Sequence, residues 1–168
     1  YDVRRVIQQL VDINSFLELT QCHGPAVLTG FARIEGRAVG IIANDCRHLG
    51  GAVDAEAAEK TARFITLCDN FDIPIVSLCD SPGFMVGPDS EEQAAVRRMA
   101  SLFVAGAKLT TALVAVFLRK GYGLGAMAMV GGSFHKPIYS VAWPSGEFGG
   151  MGLEGAVRLG FKKELAAV

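Results

Sequence analysis

The stretch TALVAVFLRKGYGLGAMAMV, residues 111–130, indicates the fold of this chain more clearly than any other part of it. Thr111 to Leu118 is a nearly continuous apolar run, which is typical of a strand that is buried on both faces of a sheet. The glycine-rich segment Gly121 to Gly125 follows, and Ala126 to Val130 has the composition of a short helix. A buried strand, a glycine turn and a helix in this order predict one unit of a parallel α/β sheet.

The same order of strand, loop and helix occurs upstream of this stretch. Pro74 to Asp80 predicts a buried strand, and Ser81 to Asp89 is a loop rich in proline and glycine. Ser90 and Gln93 have the spacing of a capping box. They predict a helix from Glu91 to about Leu109.

The first part of the chain predicts an antiparallel start to the sheet. Asp2 is placed to cap an amphipathic helix, and two β-rich runs, Ala26 to Ile34 and Arg37 to Ala43, are separated by the turn Glu35-Gly36. Asp54 then caps a helical pattern that extends to about Asn70. We therefore expect a single α/β domain, in which helices cover a mostly parallel sheet that follows a hairpin.

Composition excludes several function classes. The chain has 168 residues, of which 51% are hydrophobic and 20% are charged, so it should fold into a packed core. A formal net charge of -1 gives no field that would hold nucleic acid or an anionic membrane, and no apolar run is long enough to span one. Without such a run, we expect a cytosolic protein. We expect no metal site, because neither CxxC nor HExxH spacing occurs.

The two loops Ser81–Gly87 and Gly121–Ala126 are the places where chemistry is expected. Each lies between a buried strand and a helix, where open α/β sheets collect ligands. Their glycines allow a ligand to approach the backbone amides, which could polarise a carbonyl. The same glycines could also serve only tight turns and close packing. A dinucleotide fingerprint through Gly121, Gly123 and Ala126 is disfavoured because the next strand ends without an acidic residue.

Four motifs occur in an order that resembles the carboxyltransferase (beta) subunit of biotin-dependent acyl-CoA carboxylases of the acetyl-CoA and propionyl-CoA type. They are Asp80–Phe84, Arg119–Gly123, Ala142–Pro144 and Met151–Val157. The resemblance implies a crotonase-like (ClpP/crotonase) ββα superhelix. It also implies that residues 1–168 are the C-terminal carboxyltransferase half of a longer subunit, with which a start at Tyr1 rather than at methionine agrees.

The resemblance further implies the reaction and its participants. Such enzymes move a carboxyl group from carboxybiotin, tethered to a biotin carboxyl carrier protein, to the α-carbon of a short acyl-CoA such as acetyl-CoA or propionyl-CoA. The expected partners are the carrier, the biotin carboxylase subunit, the N-terminal half that holds most of coenzyme A, and further copies in a homo-oligomer. A cytoplasmic location, or the mitochondrial matrix in a eukaryote, is expected.

By the same resemblance, three groups of residues form the site. Backbone donors for an oxyanion are Gly123, Leu124, Gly125 and Ala126. Biotin-binding residues are Pro82, Gly83, Phe84 and Gly87. Substrate-pocket residues are Tyr122, Met127 and Arg119.

This sequence departs from the family pattern within the second glycine loop. The usual Gly-Gly-Ala-Tyr-Asp run aligns with residues 123–127, so Leu124 replaces a glycine and Met127 replaces an acidic residue. Leucine keeps its amide, and we favour the amides of Leu124 and Gly125 as the donor pair. The side chain of Met127 should point towards the pocket and influence which acyl chain fits.

Two other functions stay open on the sequence alone. A free-standing crotonase-like hydratase or hydrolase would share the fold, and it would turn over acyl-CoA without biotin. A non-catalytic module would bind the carrier or assemble with other subunits, and carrier binding would then survive mutation of both glycine loops.

Overall fold

Seven strands in one sheet and seven helices make up residues 1–165, the part of the chain that this computed structural model describes. A short 3₁₀ turn, Leu49–Gly51, precedes the second helix. The strands are β1 (Leu17–Leu19), β2 (Val27–Ile34), β3 (Arg37–Asn44), β4 (Ile75–Ser81), β5 (Leu113–Tyr122), β6 (Tyr139–Ala142) and β7 (Glu147–Gly149). The helices are α1 (Val3–Leu10), α2 (Ala55–Asn70), α3 (Pro88–Glu92), α4 (Ala95–Lys108), α5 (Gly123–Met129), α6 (Leu153–Gly160) and α7 (Lys162–Leu165).

The sheet has the predicted antiparallel start and parallel continuation. Strands follow one another in the order β1 to β6; β1, β2 and β3 pair antiparallel, and β3, β4, β5 and β6 pair parallel. Strand β7 also pairs parallel with β5, beyond the segment that β6 occupies. The predicted hairpin turn is confirmed, since Glu35 and Gly36 both have positive φ (50° and 77°), as a two-residue turn of this type requires.

Alternation along the strands gives the sheet two buried faces. On one face, Ile42 and Ile75 belong to the core that α2, α4 and α5 cover. On the other face, Ile41 and Leu78 pack with Val3 of α1. None of the helices in the described residues is both long and apolar enough to cross a membrane.

Both predicted aspartate caps are confirmed. The carboxylate of Asp2 accepts a hydrogen bond from the amide of Arg4 at 3.0 Å, at the start of α1. The carboxylate of Asp54 accepts from the amide of Ala57 at 2.8 Å, at the start of α2. In each case the side chain supplies the acceptor that the first helical turn lacks.

The predicted capping box at Ser90 and Gln93 is wrong. The structure has two helices in place of one, because helix α3 already begins at Pro88 and the chain breaks at Ala94, whose φ is 55°. Proline suits the first helical position, since its missing N–H and fixed φ cost nothing there. Burial of Ala95 and Met99 then fixes where α4 starts, whereas α3 buries no residue.

Strand β5 is longer than the sequence predicts. It continues through Arg119 and Lys120 to Tyr122, into the segment expected to be a glycine-rich loop. The reason is β7, which the sequence pattern does not reveal and which pairs with residues 120–122. Residues 121 and 122 of the expected glycine-rich loop therefore belong to β5, and α5 begins directly after them at Gly123.

The stability of the fold should decrease in acid because of Asp45. This carboxylate is fully buried, and it is paired with Arg4 at 2.8 Å and Arg47 at 3.0 Å. Burial opposes its charge, but the hydrogen bonds from the two guanidinium groups prevail and lower the pKa of Asp45 to about 2, from an ordinary value of 3.8. The stability that ionised Asp45 contributes is complete above the pKa that Asp45 has in the unfolded state. It is lost as the pH falls through the pKa of Asp45 in the folded state.

We expect this carboxylate to contribute about 1 to 2 kcal/mol to the free energy of unfolding at neutral pH. The measurement is urea unfolding between pH 5 and pH 2, for the wild type and for Asp45→Asn. Between these pH values, the decrease in the free energy of unfolding should be smaller in Asp45→Asn than in the wild type by about 1 to 2 kcal/mol. Equal losses would contradict the assignment.

Candidate functional site

The two glycine-containing loops are in direct contact. They follow the neighbouring parallel strands β4 and β5, whose carboxyl ends lie at the same edge of the sheet. Gly83 has a φ of 130°, and a Cβ atom built on Gly125 would lie only 2.7 Å from its Cα. The backbones therefore approach at a distance that only glycine at position 125 allows.

The second loop presents backbone amides at the point where α5 begins, in residues 123–126, which we call the amide turn. Gly123 has a φ of 58°, and Tyr122 makes no side-chain cap to the helix. The first amides of a helix have no partner within the helix, so those of Gly123, Leu124 and Gly125 are free of intrahelical bonds. The amide of Ala126 is the first that bonds back within the helix, to the carbonyl of the cap residue Tyr122, so the prediction of Ala126 as a free donor does not fit the helix start. Leu124 is 62% exposed, whereas Gly125 is buried beneath Gly83.

An apolar cavity, which we call the α4 cavity, lies on one side of this turn. Its volume is about 320 Å³, which falls in the range of small-molecule sites. Ser90 and Glu91 lie at its polar edge. The apolar lining includes Phe84, Met85, Val86, Met99, Phe103 and Leu124.

A second apolar cavity, the β7 cavity, lies on the other side of the turn and has a volume of about 610 Å³. Its lining includes Gly123, Leu124, Met127, Phe134, Phe148 and Gly149. Met127 is one of the residues that line this cavity. Leu124 lines both cavities, so this residue lies at the boundary between them.

Several of the predicted site residues line neither cavity. The guanidinium of Arg119 lies 3.2 Å from the buried carboxylate of Asp80, and the hydroxyl of Tyr122 donates to Glu147, which raises the pKa of Tyr122. Pro82 is exposed, and Gly87 is the residue that precedes α3. Of the predicted biotin-binding residues, Phe84 lines the α4 cavity, and Gly83 supports the amide turn through Gly125.

Asp80 is a buried anion beneath the two loops. Its carboxylate accepts hydrogen bonds from the hydroxyl of Tyr1 at 2.8 Å and from the amide of Lys120 at 3.1 Å. Burial works against its charge, but these hydrogen bonds and the positive charge of Arg119 prevail and hold the pKa of Asp80 below its ordinary value. Asp80 is therefore ionised near neutral pH, so it accepts hydrogen bonds and has no proton to donate.

The aromatic wall residues other than Phe84 are the part of the site that the sequence does not reveal. Phe148 lies on the three-residue strand β7, and Phe103 lies on α4. Phe117 packs edge-on against Phe148, with ring centroids 4.8 Å apart, and this contact orients the wall of the β7 cavity. Within residues 1–165, no group of three or more His, Cys, Asp or Glu side chains is placed to hold a metal ion.

Sequence comparison finds relatives among carboxyltransferases. The model of the carboxyl transferase domain matches residues 1–168. The propionyl-CoA carboxylase beta chain of Saccharopolyspora erythraea is 42% identical over 166 residues, which are 99% of this chain and 30% of the relative. The methylmalonyl-CoA carboxyltransferase 12S subunit of Propionibacterium freudenreichii is 40% identical over 168 residues, and the match covers 32% of it. The chain thus spans about a third of the length of these curated relatives.

Comparison of folds gives the same relatives. A single-chain, multi-domain long-chain acyl-CoA carboxylase superposes with a TM-score of 0.93 and 60% identity, over 95% of this chain and 16% of that one. Transcarboxylase 12S, solved as a hexamer with methylmalonyl-CoA bound, superposes with a TM-score of 0.91 and 39% identity, over 100% of this chain and 32% of that one. These likenesses confirm the predicted crotonase-like α/β fold.

Proposed function

Because this chain belongs to the carboxyl transferase domain family, we propose that it moves a carboxyl group between carboxybiotin and the α-carbon of an acyl-CoA thioester. The match of the family model to all 168 residues is the observation that carries this proposal. The geometry supports it, since two glycine loops meet between two apolar cavities. The chain would form the side of the site that faces biotin.

The amides of Leu124 and Gly125 would supply the catalytic electrostatics. When bound, carboxybiotin supplies the carboxyl group, and its ureido oxygen gains negative charge as that group leaves. Backbone donors fixed beforehand and shielded from water stabilise such a charge more than mobile water does. No side-chain nucleophile or general acid from this chain is needed, and the ionised state of Asp80 agrees with that.

We assign the α4 cavity to the biotin ring and the β7 cavity to the acyl chain. Phe84 and Met99 give the first cavity the apolar walls that a thioether ring system requires. Met127 and Phe148 line the second cavity, which is larger and suits an alkyl group. Leu124 lies between the two, so the carboxyl group would cross at its amide.

The rest of the machinery lies outside this chain. Since the chain covers about a third of its curated relatives, we propose that it belongs to the C-terminal half of the carboxyltransferase unit and that an N-terminal half holds coenzyme A. The carrier protein, the biotin carboxylase subunit and a homo-oligomer belong to the same proposal. The cytoplasmic or mitochondrial location stays a prediction.

The test uses the intact parent subunit with free biotin. Malonyl-CoA or methylmalonyl-CoA is added, and decarboxylation, the reverse transfer, is followed by the appearance of acetyl-CoA or propionyl-CoA. Turnover that requires biotin supports the proposal. Consumption of an acyl-CoA without biotin and without decarboxylation would favour a free-standing hydratase or hydrolase, and carrier binding with no turnover would favour a binding module.

The acyl-chain assignment predicts the effect of Met127→Asp. A carboxylate in an apolar wall stays hydrated and removes apolar contact from the end of the acyl chain. Because one methylene contributes about 0.8 kcal/mol, or about fourfold, the ratio of kcat/KM for ethylmalonyl-CoA to that for methylmalonyl-CoA should fall about fourfold. Met127→Leu, which keeps an apolar wall, should leave the ratio within twofold of the wild type on the same scale. An unchanged ratio in Met127→Asp would contradict the assignment.

A further inference from the structure

Strands β4 and β5 lose their regular pairing directly beneath the amide turn. Cys79 pairs with Phe117, but the next pair joins Ser81 to Gly121. One residue of β4, Asp80, therefore lies opposite residues 118–120 of β5. Such a bulge leaves ladder groups without their usual partners and redirects the chain that follows it.

The side chain of Asp80 takes the place of the missing ladder partner. Its Oδ1 accepts the amide of Lys120 at 3.1 Å, within the bulge, and its Oδ2 lies 3.2 Å from Nε of Arg119. The backbone of Asp80 is itself fixed, because its amide donates to the fully buried Asn44 at 3.1 Å. Asp80 thus holds the bulge of β5 through its carboxylate and is anchored to β3 through its amide.

Both glycine loops begin next to this carboxylate. On β4, the Oγ of Ser81 accepts the amide of Gly83 at 3.2 Å. On β5, Gly121 is the first paired residue after the bulge, and α5 begins at Gly123. The two loops then meet at the contact between Gly83 and Gly125. A change in the shape of the bulge would therefore move one loop relative to the other.

We infer that Asp80 is a positioning residue, whose carboxylate holds the β5 bulge and thereby sets the placement of the Leu124 and Gly125 amides against the Gly83 loop. This inference rests on the proposed function. It differs from a general acid or base role, because Asp80 lines neither cavity and acts through the backbone of Lys120. Its effect should fall on the chemical step and spare acyl-CoA binding.

Asp80→Asn tests this in the intact parent subunit. The amide side chain keeps the shape, but it loses the charge that holds Arg119 and Tyr1. Displacement of catalytic groups by about 1 Å costs on the order of 100-fold, so we expect kcat of biotin-dependent decarboxylation to fall about 100-fold. The KM for methylmalonyl-CoA should stay within about twofold of the wild type, because coenzyme A is held elsewhere.

Asp45→Asn is the matched control. Asp45 is equally buried and is also paired with two cations, but it contacts neither the bulge nor the loops. It should lower stability and leave kcat unchanged. An equal loss of kcat in both variants, or none in Asp80→Asn, would overturn the inference.

Two further measurements keep the test decisive. Should Asp80→Asn not fold, Tyr1→Phe removes one hydrogen-bond donor from Asp80 at a half-exposed position, and kcat should fall about tenfold. Hydrogen exchange of residues 121–125 needs no activity, and it should become at least about tenfold faster in Asp80→Asn than in Asp45→Asn. Absence of biotin-dependent turnover in the wild type would refute the proposed function alone, whereas unchanged exchange and an unchanged kcat in Tyr1→Phe would refute the role of Asp80.

Discussion

Leu124→Pro should lower kcat of biotin-dependent decarboxylation by about 10² to 10³, the usual cost of losing one oxyanion donor. Proline removes the amide of residue 124 but tolerates the first turn of a helix, where that amide has no intrahelical partner. The side chain of Leu124 is 62% exposed, so its loss creates no core cavity. The measurement is steady-state decarboxylation of methylmalonyl-CoA by the intact parent subunit.

Leu124→Ala is the control for this prediction, because it removes the same side chain and keeps the amide. We expect its kcat to stay within about fivefold of the wild type. Thermal unfolding of both variants should show similar midpoints. Comparable activity in the proline and alanine variants would refute the amide of Leu124 as a donor.

Gly125→Ala should cause the other large decrease in kcat, although this variant keeps every backbone amide. The new Cβ would meet Gly83 backbone atoms at 2.7 Å, and backbone does not yield as a flexible side chain does. The two loops must separate, so we expect kcat to fall about 100-fold and stability to fall by about 1 to 3 kcal/mol. Steady-state kinetics and urea unfolding of the same preparation measure the two effects.

Gly160→Ala provides the matched substitution at a glycine in open space. Gly160 ends helix α6, and among residues 1–165 no atom beyond its own chain neighbours and the backbone of its own helix lies within 4 Å of the position that its Cβ would take. This variant should keep wild-type activity and stability. If Gly125→Ala behaved in the same way, the contact between the two loops would have no part in the site.

The main elements of the fold could be predicted from local sequence because their signals are local. The caps at Asp2 and Asp54 and the turn Glu35-Gly36 each depend on residues within a few positions of one another. The break at Ala94 depends instead on which side chains reach the core. All three residues of strand β7 are exposed, and the strand forms because it pairs with β5. No periodic pattern in the sequence therefore predicts it.

The candidate site could be predicted only in part for the same reason. Glycines between a strand and a helix identify both loops, but the contact between Gly83 and Gly125 depends on the register of β4 against β5. By the family resemblance, Arg119 is expected in the substrate pocket. The structure directs it to Asp80, because β5 continues past the expected end of the strand and carries that side chain beneath the loops.

The central claim is that backbone amides of this chain bind biotin. Hydrogen exchange at the amide turn tests this claim most directly. The intact parent subunit is exchanged with and without saturating free biotin, and residues 121–127 are followed. We predict slower exchange at Leu124 and Gly125 when biotin is present. Exchange there that does not change, while another part of the subunit becomes protected, would contradict the account.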